Sequence, residues 1–327
     1  MKIAIIGAGI AGLTAANMLR DRADVVVFDK SRGVGGRMST RYAGAYEFDH
    51  GAQYFTITDS DFQRLIDRVT ERGVAKAWNS RGLYLREGTL EMDTGRPRWV
   101  GAPRMNQLPK AIAEGLDIRT AQRVTKIEGG RGHYHLLFED RESEGPFDHV
   151  ICTTPAPQAA ALLSPKSALQ ATLGAVKMHA CFALMVGFPK TGSTFAPRWD
   201  TLRVSNLPVS WIALNNAKPE RDEDHFALVI HGSPEWSDKN TQADRSTLQD
   251  ILLDCASALC GVDLSKAPHI ALHRWLYAYA DHGVGSDTLL DPQSGVILAG
   301  DWCVGGRVEG AFVSGRAAAQ MVLAEFK

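Results

Sequence analysis

The sequence predicts an α/β fold, with a Rossmann-like nucleotide-binding domain and a second, α+β domain built on a mixed or antiparallel sheet. Three observations predict it. Residues 2–6 (KIAII) are an apolar run of strand length, followed at once by Gly7-Ala8-Gly9-Ile10-Ala11-Gly12 and a helical stretch over residues 13–20. A second apolar run, residues 24–28 (DVVVF), ends on Asp29, 20 residues beyond Gly9. That is the spacing of a dinucleotide-binding βαβ unit. From residue 156 to about 289 the chain is richer in strand-like runs, which predicts the second domain.

Each residue of the first unit has a physical reason. Gly7 permits the tight turn, Gly9 lets the backbone approach a pyrophosphate, and Gly12 lets helix and strand pack closely. Backbone N–H groups at the helix start, around Ile10 and Ala11, then face the diphosphate. Asp29 is placed to accept hydrogen bonds from ribose hydroxyls, with Lys30 beside it. The competing reading is a glycine-rich turn in an ordinary α/β domain. The strand, the helix and the acid, all in register, argue against that reading. Met1-Lys2 and the small apolar residues after it resemble a short signal peptide, but the glycines and the DVVVFD strand account for them better.

Residues 59–72 (DSDFQRLIDRVTER) place Phe62, Leu65, Ile66 and Val69 at helical spacing behind an acidic cap, which predicts an amphipathic helix. Residues 78–99 alternate short strands with turns. The basic, aromatic loop Gly95-Arg96-Pro97-Arg98-Trp99 is either exposed surface or a place where Arg96 or Arg98 meets an anionic part of a substrate. A helix is expected over 105–116, strands over 122–127, 133–139 and 148–153, and a break at Thr154-Pro155-Ala156-Pro157. In the second domain strands are expected over 177–187, 202–205, 210–215, 225–231 and 270–275, with a helix over 247–259. Residues 296–299 form a last strand before Gly300-Asp301-Trp302 and the final helix.

With 327 residues, a formal net charge of −1 and 45% hydrophobic residues, the chain has no global basic field to favour nucleic acid. No run reaches the ~18 apolar residues of a membrane span. The five cysteines form no Cys-x-x-Cys pair; they read as reduced thiols of a cytoplasmic protein, without a zinc or other metal site.

The loop Ser31-Arg32-Gly33-Val34-Gly35-Gly36-Arg37-Met38-Ser39-Thr40 resembles the second signature of the flavoprotein amine oxidase superfamily, and Gly300-Asp301 with the glycine-rich helix start at 305–315 resembles its third. DHGAQYFT (residues 49–56) together with GGRMST resembles the renalase branch of that superfamily. So do VICTTPAP (150–157), WIALNNAKPER (211–221), ALVIHGS (227–233) and His273-Arg274-Trp275. The resemblance implies a glutathione-reductase or p-hydroxybenzoate-hydroxylase-like cofactor domain over residues 1–57, 102–155 and 290–327, and a substrate domain over 58–101 and 156–289. It also implies noncovalent FAD.

In that resemblance FAD is held by the first turn with Asp29 and Lys30, by Gly36, Arg37 and Met38, by Gln53 and Tyr54, by the Val124 backbone against the adenine, and by Gly300, Asp301 and Val308. Arg37 supplies positive charge near the pyrophosphate. Lys177 falls near where many amine oxidases keep a lysine that hydrogen-bonds a water at flavin N5; otherwise it is an ordinary exposed strand lysine. Substrate is expected against Tyr54, Phe55, Arg96, Asn215 and Trp275. Asn215 and His231, at strand ends, are candidates to hydrogen-bond a carboxamide. Trp211, Trp275, Tyr277 and Tyr279 line either an aromatic slot for a planar ring or ordinary core.

The implied activity is oxidation of isomeric dihydronicotinamides, the 2- and 6-dihydro forms of NAD(P), to NAD(P)+, with O2 as the final acceptor and H2O2 as product. No catalytic acid–base dyad is evident. The alternatives are an FAD-dependent amine oxidase or desaturase of the same superfamily, and a non-catalytic flavin-binding redox sensor.

Overall fold

The computed structural model describes residues 1–326 and is built on two large sheets. The first runs, in spatial order, Leu289–Leu290, Ile297–Leu298, His149–Cys152, Lys2–Ile6, Asp24–Phe28 and Asp117–Arg119. All its pairs are parallel except the outermost, Leu289–Leu290 with Ile297–Leu298. Lys2–Ile6 and Asp24–Phe28 are buried along almost their whole length, as strands covered on both faces must be.

The helix Ile10–Leu19 begins three residues earlier than its periodicity suggests, because the glycine turn feeds straight into it. It crosses the last long helix, Val308–Leu323, so closely that a Cβ on Gly315 would lie 2.1 Å from the Ala11 carbonyl oxygen. The two ends of the chain are thereby packed side by side. The amphipathic helix Ser60–Glu71 buries Phe62, Ile66 and Val69 in the same core, with the Phe62 and Phe312 rings 5.1 Å apart. Its cap is Asp59, whose side chain accepts from the Asp61 and Phe62 N–H groups.

The second sheet has seven strands in the order His269–Ala280, Met178–Pro189, His225–Gly232, Val209–Leu214, Thr201–Val204, Gly82–Arg86 and Thr89–Met92. Only Thr201–Val204 with Gly82–Arg86 is parallel, so the sheet is mixed. Helix Arg245–Cys260 packs Leu248, Leu252, Leu253 and Ala256 against one face in a separate apolar core. The opposite face is turned toward the glycine loops. The chain thus combines a Rossmann-like nucleotide-binding layer with a sheet of mixed orientation over it.

Candidate active site

A cavity of about 2140 Å³ lies between the glycine loops and the second sheet. Ligand pockets usually run ~300–1,000 Å³, so there is room for a long dinucleotide and a second ligand.

The floor is set by the glycine turns. Gly7 has φ +109°, and a Cβ there would meet Thr153 Oγ1 at 2.6 Å, so only glycine fits. Gly9 faces open space and caps the Ile10–Leu19 helix without a side-chain acceptor, which leaves the first N–H groups of the helix free for a diphosphate. Asp29 accepts from the Ala8 N–H at 2.6 Å through Oδ2 and from the Ser31 N–H at 2.7 Å through Oδ1. It ties the first glycine turn to the second loop while keeping lone pairs for a ribose. The second loop closes on the first through Gly35 N–H to the Ala8 carbonyl, 2.8 Å.

Arg37 donates to both carboxylate oxygens of Asp301, at 2.9 and 2.5 Å, and to the Ala278 carbonyl at 3.0 Å. The charge of Arg37 is therefore shared with Asp301 rather than free. Beyond Asp301, Arg307 caps the Val308–Leu323 helix with extended backbone and no side-chain hydrogen bond, so the N–H groups from Val308 onward keep their positive end toward the cavity wall. Gly7, Gly9, Ile10, Asp29, Lys30, Gly36, Arg37, Met38, Gln53, Tyr54, Val124, Asp301 and Val308 all line the cavity. Ala11, Gly12 and Gly300 shape the backbone behind it. A Gly12 Cβ would fall 1.9 Å from the Gly7 carbonyl oxygen, and the Gly300 N–H is held by Ser314 Oγ at 2.8 Å. Open space beside Gly9, free helix N–H groups at both chain ends and an acid at the second strand fit an extended dinucleotide such as FAD.

The wall of residues 49–55 hangs from a buried ion cluster that sequence reasoning missed. Asp49 is fully buried and accepts from Thr40 Oγ1 (2.7 Å), the Met105 N–H (3.1 Å), Lys218 Nζ (3.2 Å) and Arg221 Nη2 (2.8 Å). Burial alone would raise the Asp49 carboxyl, but the two cations hold it well below the usual carboxylate range. Burial also pulls Lys218 down to about 8. The only sequence signal was charge set beside apolar runs, in DHGAQYF and NAKPER. Asn215 belongs to this region: its amide donates to the Glu47 carbonyl at 2.9 Å, it is 1% exposed, and it does not line the cavity. Gly51 passes so near Arg37 that a Cβ would lie 2.0 Å from the Arg37 carbonyl oxygen.

The roof is a row across four strands. Trp211 pairs with His231, His231 with Ala183, and Ala183 with His273, so all four share one face. Trp275 joins them. Its indole N–H donates to the His50 carbonyl at 3.0 Å, and its ring lies 5.1 Å from the His50 ring. Burial lowers His231 to about 4 and His50 to about 3, the latter helped by His273 and Arg41. Burial with Arg41 and Arg245 lowers His273 to about 4. The three imidazoles are neutral at pH 7. Cys181, also on the wall, is pushed up to about 12 by burial and is an inert thiol.

The other expected residues divide. Phe55, Arg96, Trp275, Tyr277, Tyr279 and His231 line the cavity. Arg96 is exposed and makes no ion pair among the described residues. Arg98 is buried and bound to Asp93 (2.5 Å), Ser80 and Thr201, with its guanidinium 4.7 Å from the Tyr54 ring and 5.3 Å from that of Trp211. Its charge is spent on the Asp93 carboxylate while its guanidinium braces two wall aromatics. Lys177 is exposed in the turn before Met178–Pro189 and does not line the cavity; the lysines that do are Lys30 and Lys110. Among the described residues no group of three or more His, Cys, Asp and Glu is placed to hold a metal, and no helix is long and apolar enough to cross a membrane.

The fold is shared with solved structures. A chain from Exiguobacterium sp. 255-15, provisionally described as a protoporphyrinogen oxidase, superposes with a TM-score of 0.82 at 15% identity, covering 99% of each chain. Cyclohexylamine oxidase from Brevibacterium oxydans IH-35A gives 0.74 at 16% identity, again over 99% of each. Reduced UDP-galactopyranose mutase gives 0.74 at 12% identity, over 99% of this chain and 96% of the other. In sequence, a 60-residue stretch is 40% identical to a 4,4'-diapophytoene desaturase of Staphylococcus aureus, and it spans 18% of this chain and only 12% of the desaturase. Residues 5–69 match the NAD(P)-binding Rossmann-like domain. Residues 72–323 match the flavin containing amine oxidoreductase family, and this protein belongs to that family of flavin-dependent oxidoreductases.

Proposed function

We propose that this protein is an FAD-dependent oxidase of the renalase type, which takes hydride from 2- or 6-dihydro-NAD(P) and releases NAD(P)+. FAD, when bound, supplies a two-electron acceptor and passes the electrons to O2, which leaves as H2O2. The observation that carries the reading is the roof. Trp211, His231, His273 and Trp275 present neutral rings and no lysine or carboxylate to a ligand below them. A dihydropyridine that loses hydride becomes an aromatic cation. It needs orientation and a surface that tolerates positive charge, and ring faces provide both without a proton acceptor.

Binding of FAD without a covalent link accords with Cys303, the thiol nearest the third motif: it is buried away from the cavity and pushed up to about 12 by burial. The cofactor domain is assigned to residues 1–57, 102–155 and 290–327, and the substrate domain to 58–101 and 156–289. Five unpaired cysteines accord with a reducing, cytoplasmic setting.

The family and the likeness to cyclohexylamine oxidase favour a second reading, an amine oxidase or desaturase. Anaerobic mixing separates the two. Rapid loss of the visible flavin absorbance on adding borohydride-reduced NAD, with colour and H2O2 returning in air, is the expected result. Bleaching by amines alone would replace the proposal with amine oxidation. A reduced flavin that persists in air would point to a redox sensor.

A further inference from the structure

His179 is 4% exposed, and both of its ring nitrogens end on carboxylates: Nδ1 on Asp238 Oδ2 and Nε2 on Asp281 Oδ2, each at 2.6 Å. An ionised carboxylate only accepts hydrogen bonds, so both nitrogens must donate and the ring is an imidazolium. Burial opposes that charge, but the hydrogen bonds to Asp281 and Asp238 outweigh it and hold His179 above its ordinary value. The hydrogen bond from His179, with its charge and those of Lys177 and His282 nearby, keeps Asp281 ionised. Tyr279 faces the ring at 5.2 Å between centroids; burial pushes its hydroxyl up, and Glu235 and Cys181 lie within its field.

This bridge sits at the end of an irregularity in the second sheet. Strands Met178–Pro189 and His269–Ala280 pair His179 with Tyr279 and Cys181 with Trp275, so Leu276, Tyr277 and Ala278 stand opposite Ala180 alone. The bulge serves the cavity. Tyr277, Ala278 and Tyr279 line it, and the Ala278 carbonyl is the one that accepts from Arg37 at 3.0 Å. Bulges re-aim residues beside active sites at the expense of ladder hydrogen bonds, so other contacts must hold them. Here Asp238, on helix Pro234–Lys239, takes the Ala180 N–H at 2.8 Å through Oδ1 and His179 through Oδ2. His179 then reaches Asp281, two residues past Tyr279. Between them the Ala280 carbonyl accepts from the Gly306 N–H at 3.1 Å, so the third glycine turn is laid against the same strand end.

We propose that His179 is a positioning residue for the cofactor wall: by bridging Asp238 and Asp281 it locks the bulge of Tyr277 and Ala278 against Arg37, and it lets the bulge loosen when the bridge loses its proton. A neutral imidazole can donate to only one of the two carboxylates. The stabilisation is therefore full below the ~6.5 of an unfolded histidine and fades as pH rises through the raised folded-state value. The inference holds whichever donor reduces the flavin.

The test reads the imidazole directly. In holoprotein carrying isotope-labelled histidine, the NMR signal absent from His179→Gln belongs to His179. Its midpoint should lie above ~6.5. The visible circular dichroism of bound FAD should change with the same midpoint, and FAD release should quicken about tenfold across it. Asp281→Asn, at a half-exposed position, keeps an acceptor for Nε2–H and removes a charge; it should move the NMR and flavin midpoints down together by about one pH unit. His179→Gln should release FAD at a rate that no longer varies over this range. Flavin signals that stay flat while His179 titrates, or that keep their midpoint when Asp281→Asn displaces the imidazole, reduce the bridge to structural support and overturn the proposal. So does a His179 midpoint at or below ~6.5, or none before tyrosines and lysines titrate at about pH 10. If His179→Gln fails to fold, the signal displaced by Asp281→Asn identifies the ring and the same comparison decides.

Discussion

Arg37 and Asp301, 264 residues apart in the chain, grip one another through two hydrogen bonds of 2.9 and 2.5 Å on the cavity wall. The pair joins the second glycine loop to the short helix Asp301–Val304, so two distant segments of the cavity wall are held together by one contact. Arg37→Ala leaves the Asp301 carboxylate, which is 6% exposed, without its cation. Purified Arg37→Ala should carry substoichiometric flavin, with FAD affinity at least ~10-fold weaker, as expected when a charged hydrogen-bonded pair is broken. Flavin-to-protein ratio and fluorescence titration of the apoprotein measure it. Retention of full flavin would show that the pair is dispensable for the cofactor.

The Asp49 cluster predicts an asymmetry in stability. Asp49→Asn leaves Lys218 and Arg221 buried together with no anion, a loss of about 3–5 kcal/mol. Lys218→Met removes one of two buried cations and leaves the Asp49–Arg221 pair at 2.8 Å, so it should cost clearly less. Urea denaturation of the two variants compares them, and equal losses would contradict the reading.

Acid should weaken the fold in two stages. Unfolded histidines titrate near ~6.5, whereas burial holds His50 at about 3 and His231 and His273 at about 4 in the folded chain. As pH falls below ~6.5 the unfolded chain takes up protons that the folded site refuses. Stability is therefore complete above ~6.5 and declines down to about 4. Asp49 continues the trend: its folded-state value is depressed, so its contribution is present above ~3.9 and lost as pH falls further. The urea midpoint should drop between pH 7 and pH 5, and His231→Asn should flatten the slope. A midpoint constant over that range would refute neutral burial of these rings.

Lys177→Met should leave flavin reduction within about twofold of wild type, since surface substitutions away from a site have small effects and Lys177 is exposed outside the cavity. A loss of orders of magnitude would favour amine chemistry and a lysine acting at the flavin.

The cofactor half was legible because its rules are local. Glycines at 7, 9 and 12, the acid at 29 and the GGR and GD turns dictate backbone conformation within a few residues of themselves, and the structure sets the first turn, the acid and the GGR loop around one cavity. The roof was legible only as a list of candidates. Asn215 and His231 both sit at strand ends, but one is spent on the Glu47 carbonyl and the other faces the cavity, because pairing across strands far apart in sequence fixes the face each side chain takes. Arg96 and Arg98 differ in the same way: two residues apart on one loop, the second is captured by Asp93 and the first is left at the cavity mouth.

The sequence by itself determined the dinucleotide-binding βαβ unit, the order of the glycine motifs and the strand content of the second sheet, since these follow from short-range sterics and periodicity. Tertiary structure alone decided that Arg37 meets Asp301, that Asp49 anchors the wall through Lys218 and Arg221, and that the Trp275 indole N–H finds the His50 carbonyl. Those facts depend on desolvation and on contacts between segments more than a hundred residues apart, which no local pattern encodes.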